Sequence, residues 1–98
     1  IMNTDLASLS QNFPNPFSIY THINFAVHKS GKLKLEVIDI LSHSIKMLVN
    51  ENKLADNYSI SWDGKDNYNS DLQNGIYYLK LTFGPDKVIY KKMIIIRR

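Results

Sequence analysis

Oxygen-bearing side chains crowd one stretch of this sequence, "DGKDNYNSD", residues Asp63 to Asp71. Calcium prefers carboxylate and carbonyl oxygens, so Asp63, Asp66, Asn67, Asn69 and Asp71 could in principle wrap one ion. Their spacing does not follow the EF-hand loop, which sets Asp or Asn at alternate positions, Gly at the sixth and Glu at the twelfth. Asx side chains also bond the nearby backbone and populate turns; a turn is the expected role here, with calcium as the alternative. His22, His28 and His43 match no metal-ligand spacing. On one strand face His22 and His28 stand roughly 20 Å apart, too far for one ion. No metal site is assigned. A G-x-S-x-G nucleophile motif and a glycine-rich phosphate loop are both missing. The chain has no cysteine, which excludes thiol catalysis, disulfides and Cys-ligated zinc. Neither an enzyme nor a cofactor protein is expected.

Ninety-eight residues with a hydrophobic fraction of 44% suffice for one domain with its own core. No apolar run reaches the ~18 residues of a membrane span. The opening "IMNTDLASL" has neither a basic nor an apolar signal region, and Met2 in second place suggests a piece of a longer protein. The net charge of +3 is concentrated in Lys87, Lys91, Lys92, Arg97 and Arg98; without those five, 7 basic residues face 9 acidic ones, a net of −2. Such a basic tail differs from the spread of Lys, Arg and aromatics that a nucleic-acid face requires.

Period-two alternation supplies the elements. In "HINFAVH", Ile23, Phe25 and Val27 point one way; in "KLKLEVIDI", Leu33, Leu35 and Val37 do the same. "KSGK", Lys29 to Lys32, is expected to join these strands as a hairpin, with Gly31 free to take positive φ. Further strands are expected at residues 44 to 50, at "YSISW" with Tyr58, Ile60 and Trp62 on one face, at residues 75 to 83, and beyond the "GPD" turn in "KVIYKKMIII". No useful window has helical periodicity. Six strands, with a seventh near the start, predict an all-β fold, a seven-stranded antiparallel Ig-like β-sandwich.

"SQNFPNPFS", Ser10 to Ser18, cannot be helix and makes a poor central strand. Pro14 and Pro16 force the residues before them into extended conformations. The segment reads as a stiff strap anchored by Phe13 and Phe17. The small polar residues before it suit a linker, which divides the chain into a linker over 1–9 and a domain over 10–98.

"LSQNFPNPF", "GKLKLEVIDIL", "WDGKD", "NGIYYLKL" and "KKMIIIRR", in this order and at these spacings, resemble one family: the type A C-terminal sorting domain of the type IX (Por) secretion system of Bacteroidota. The resemblance covers about residues 9 to 98. It implies an Ig-like sandwich carried behind a covalently linked cargo, which is exported through the periplasm to the cell surface or medium. It also implies two partners: an outer-membrane translocon that reads the domain and a sortase-like cysteine peptidase that removes it just upstream. By position, the N-terminal motif falls on Asn12, Pro14, Asn15 and Pro16. The segments implied in translocon recognition carry Gly75 and Tyr77, then Lys91, Lys92, Met93 and Arg97. Two turns depart from the family pattern. Ser42 and the pair Ala55-Asp56 stand where glycine is usual, so Ser42 and Asp56 or Asn57 are expected to bear strained turn geometry.

Two other classes fit a cysteine-free β-sandwich. An accessory binding module, for carbohydrate or protein, would need an aromatic platform such as Tyr68 with Tyr77 or Tyr90. A structural spacer would need no basic final strand. Pairing of edge strands into a homodimer is a further expectation.

Overall fold

Alternating apolar residues, each facing the same interior, build two antiparallel sheets in a computed structural model that describes residues 6–97. The strands are β1 (Ala7–Leu9), β2 (Thr21–Val27), β3 (Gly31–Ile38), β4 (Ser44–Lys53), β5 (Asp56–Trp62), β6 (Gly75–Phe83) and β7 (Lys87–Ile95). One sheet has the order β1-β2-β5, the other β4-β3-β6-β7. Ile23, Phe25 and Val27 of the first sheet are buried together with Leu33, Leu35, Val37, Leu79, Leu81, Phe83, Met93 and Ile95 of the second. This is the sandwich that the alternation predicts. Among the described residues no helix is long and apolar enough to cross a membrane.

The seventh strand lies inside the segment expected to be linker. Ala7 and Leu9 are buried, and Ala7–Leu9 pairs antiparallel with β2. The linker reading therefore ends at least three residues short of Leu9, and residues 1–5 lie outside the described region. The short apolar pair at positions 7 and 9 is an alternation too brief to stand out from its polar neighbours.

The expected β2–β3 hairpin does not form: β2 pairs with β1 and β5, while β3 pairs with β4 and β6. Alternation fixes which residues face inward, not which sheet a strand joins, and a short link can step across the ~10 Å between stacked sheets. Nor is Gly31 among the residues with positive φ. Its missing side chain serves packing instead, because a Cβ there would meet Phe83 Cζ at 2.6 Å. At the departures from the family pattern the outcome is divided. Ser42 takes φ 71°, whereas neither Asp56 nor Asn57 has positive φ. Asp39 supports the Ser42 turn by accepting Leu41 N–H and His43 N–H at 2.9 Å each. The His43 backbone donor first, and then that of Leu41, hold its carboxyl below the ordinary value.

Core and surface positions should respond very differently to truncation. Leu35→Ala, at a fully buried site, is expected to lower the unfolding free energy by about 2–5 kcal/mol. Ile40→Ala, at a site 70% exposed, should change it by no more than ~0.5 kcal/mol in the same urea titration.

Candidate functional site

The proline strap joins the two sheets. Its first half extends the β1–β2 pairing: Ser10 N–H donates to Asn24 O, and Phe13 and His22 exchange backbone bonds of 2.9 and 2.7 Å. Its second half crosses to the outer edge of β7. There Phe17 N–H donates to Ile94 O at 3.1 Å and Ile96 N–H donates to Phe17 O at 3.0 Å, forming a parallel bridge between Phe17 and Ile95. Pro14 and Pro16 have no N–H to contribute to this edge, so amide side chains take their place. Ile94 N–H donates to Asn15 Oδ1 at 2.9 Å, and Lys92 O accepts from Gln11 Nε2 at 2.7 Å and Asn15 Nδ2 at 3.3 Å.

Beneath the strap lies a buried polar knot. The Asn12 amide donates to Thr21 Oγ1 at 3.0 Å and Pro14 O at 3.3 Å, while Thr21 donates to Pro14 O at 2.8 Å. Both side chains are almost wholly buried. Such burial is tolerated because every polar atom there finds a partner; loss of one partner would strand the rest. The strap is anchored by one phenylalanine, not two. Phe17 is buried and lies 5.7 Å from the Trp62 ring, whereas Phe13 is 76% exposed. Phe17 is the one that reaches β7 and therefore the mouth of the core.

Arg97 closes this end of the sandwich. Its guanidinium donates to Leu72 O at 3.2 Å, Ser18 O at 2.9 Å and Gly64 O at 2.9 Å. Its backbone N–H donates to Asn74 Oδ1 at 2.8 Å, and Asn74 Nδ2 returns a bond to Arg97 O at 3.1 Å. The strap and both ends of the β5–β6 loop thus meet on one planar cation, whose fixed fork of donors suits several acceptors at once. Gly64 is required here twice over: its φ is +74°, and a Cβ would collide with the Arg97 guanidinium.

The oxygen-rich loop folds as turn chemistry. The Asp66 carboxylate accepts Tyr68 N–H and Ser70 N–H at 2.9 Å each, and Asp63 accepts Lys65 N–H at 3.1 Å. Asp71 pairs with Lys65 at 2.8 Å; that bond, reinforced by the Arg97 charge, holds its carboxyl below the ordinary value. Asn67 turns away from the loop, its Oδ1 accepting Met47 N–H on the edge of β4 at 3.1 Å. His22 and His28 are both exposed on the outer face of their sheet, as the alternation requires.

The residues implied in recognition divide by exposure. Lys92 is exposed and Lys91 half-buried, while Met93 is fully buried beside Tyr77 on the inner face and Gly75 opens β6. The Tyr77 hydroxyl donates to Gln73 O at 2.8 Å. Burial first, and then the Asp39 charge, raise its pKa above the ordinary 10.0. The aromatic platform of a binding module is not assembled. Tyr77 shares the inner face with Met93, Tyr90 opposes Lys80, and Tyr68 lies in the loop that bonds β4 at the far edge of the sheet. Sequence reasoning missed Gln11, Thr21 and the carbonyls of Ser18, Gly64 and Leu72. Only Gly64, following Trp62-Asp63, carried a signal of its own as a turn glycine.

Two sheets closed by a strap and an internally bonded arginine define a small all-β sandwich whose site is made of structural contacts. The family model described as a secretion system C-terminal sorting domain matches residues 11–96, and the chain belongs to that family. It is a non-catalytic secretion signal module of the type IX system. Among solved structures it is similar to the crystal structure of dimeric latent PorU from Porphyromonas gingivalis, with 18% identity and a TM-score of 0.76. That match covers 99% of this chain and 10% of the other. No curated protein matches the chain.

Arg97→Ala should lower the unfolding free energy by about 2–3 kcal/mol, because three carbonyls lose a charged donor. Arg97→Lys should recover less than half of that loss in the same urea titration, since one ammonium cannot reproduce the fork. Tyr77 should impose an alkaline limit. Its raised pKa favours the neutral phenol in the folded state, so this contribution is intact below pH 10.0 and is lost as the pH rises through the folded value. Urea midpoints measured on either side of pH 10.0 should fall less steeply in Tyr77→Phe than in the unaltered domain.

Proposed function

We propose that this domain is the address label of a covalently attached upstream cargo, carrying it through the outer-membrane translocon of the type IX system. A sortase-like cysteine peptidase then removes the domain. The cargo passes through the periplasm and ends at the cell surface or in the medium. One observation supports the reading beyond family membership: the strap motif and the final strand, far apart in sequence, are bonded side by side from Gln11 to Phe17 and from Lys92 to Arg97. A translocon would therefore meet a single composite surface at this end of the domain.

Within that surface the implied residues have separate roles. Lys92 and Lys91 present charge, whereas Met93, Tyr77 and Gly75, with Asn12, Pro14, Asn15, Pro16 and Arg97, hold the shape. Cleavage falls before Ala7, because β1 is part of the sheet. A homodimer through the edge of β7 would have to displace Phe17 first.

The test is export of a periplasm-targeted fluorescent reporter fused to residues 1–98, in a type IX-competent bacterium and in a sibling lacking the translocon. Reporter at the surface or in the medium of the competent strain alone is the expected result. Folded reporter retained equally in both periplasms would sink the proposal.

A further inference from the structure

The two outer faces of the sandwich differ in charge. On the β1-β2-β5 sheet the outward positions include Ser8, Asn24, Ala26, His28, Asn57 and Ser59, with no Asp, Glu, Lys or Arg among them. The β4-β3-β6-β7 sheet carries cross-strand rows of a different kind. Lys92 opposes Tyr78; Tyr90 opposes Lys80, which opposes Glu36; Val88 opposes Thr82, which opposes Lys34. These rows face outward because the residues alternating with them, Leu35, Leu79, Leu81 and Met93, are fully buried. Glu36 is itself buried and accepts Ser44 Oγ–H at 2.8 Å, so the charge this face presents to water is that of its lysines. Between them Tyr90, Val88 and Ile76 are exposed.

We infer that the outer face of the four-stranded sheet, centred on Tyr90 and Val88 and flanked by Lys34, Lys80 and Lys92, is the surface through which this domain docks an acidic protein partner. This rests on the sorting reading and extends that partner's contact from the final strand across the sheet to Lys80 and Lys34. Exposed apolar and aromatic side chains grouped on one face mark contact surfaces. Lysines around them steer a partner of opposite charge and repel one of like charge. The same repulsion argues against a second copy of this chain on this face. The uncharged opposite face offers no such discrimination.

The reporter fusion carries the test, with two variants that each lower the net charge by two. Lys34→Gln with Lys80→Gln alters the proposed face; Ser8→Asp with Ser59→Asp alters the opposite one. The expected result is an exported fraction lowered about tenfold by the lysine pair and held within about twofold by the serine pair. Urea midpoints of the purified domains check that both variants fold. Lys92→Gln, at an exposed position, gives a second reading that a folding defect in the pair cannot obscure. Export of the unaltered fusion with undiminished export of the lysine variants overturns the docking face and leaves the sorting reading intact. An equal loss in both pairs overturns it too, because net charge alone would then explain the effect. Sedimentation with phosphatidylglycerol-containing vesicles, lost in the lysine pair, overturns the protein partner in favour of an anionic lipid surface. Failure of the unaltered fusion to export overturns the sorting reading itself.

Discussion

The arrangement of this domain depends on one guanidinium. Arg97 lies just beyond the last strand, and without a partner its charge would be costly at the half-buried mouth of the core. Carbonyls from Ser18, Gly64 and Leu72 converge on it. None of those carbonyls belongs to a ladder of either sheet; Gly64 O also accepts Leu72 N–H at 3.0 Å, whereas Ser18 O and Leu72 O rely on the guanidinium. One side chain satisfies all three and in doing so fixes the strap, the turn after Trp62 and the approach to β6. Phe17 and Trp62 pack under this cap, and the Asn12–Thr21 knot seals its side. The apolar core supplies the cohesion; these polar contacts decide which loops close over it.

Much of the sandwich was legible because strand alternation is a local code. Ile23, Phe25 and Val27, with Leu33, Leu35 and Val37, read as the inward faces of two strands and share one interior. Sheet membership was not legible. β2 and β3 each offer a run of apolar inner residues, and nothing local says whether the link between them turns within a sheet or steps across the gap. β1 escaped notice because its buried pair spans only three residues. The resemblance marks Asn12 and Asn15 as motif residues and Arg97 as a recognition residue, without saying which contacts they make within the domain. Their roles depend on backbone oxygens contributed by distant segments, and a backbone oxygen leaves no mark in a sequence.

The same geometry bears on the division between signal and support. Conspicuous residues at the end of the chain are not equivalent: Met93 is enclosed in the core, and Arg97 spends three of its five guanidinium N–H donors on carbonyls of its own domain. Lys92 is different. Its carbonyl holds the strap while its side chain reaches the outer face beside Tyr78. It therefore belongs both to the closure and to the lysine-bearing surface.

The strap closure also sets an order of events during synthesis. Gln11 meets Lys92, Asn15 meets Ile94 and Ser18 meets Arg97 across separations of 81, 79 and 79 residues. Contacts so remote in sequence must wait for nearly all of the intervening chain, and they carry a large share of the loop-closure cost of folding. A chain cut short before the final strand would still contain most of the core residues, yet its strap would have no edge to lie on. The closed end of the sandwich thus takes its shape last, from the two ends of the domain at once.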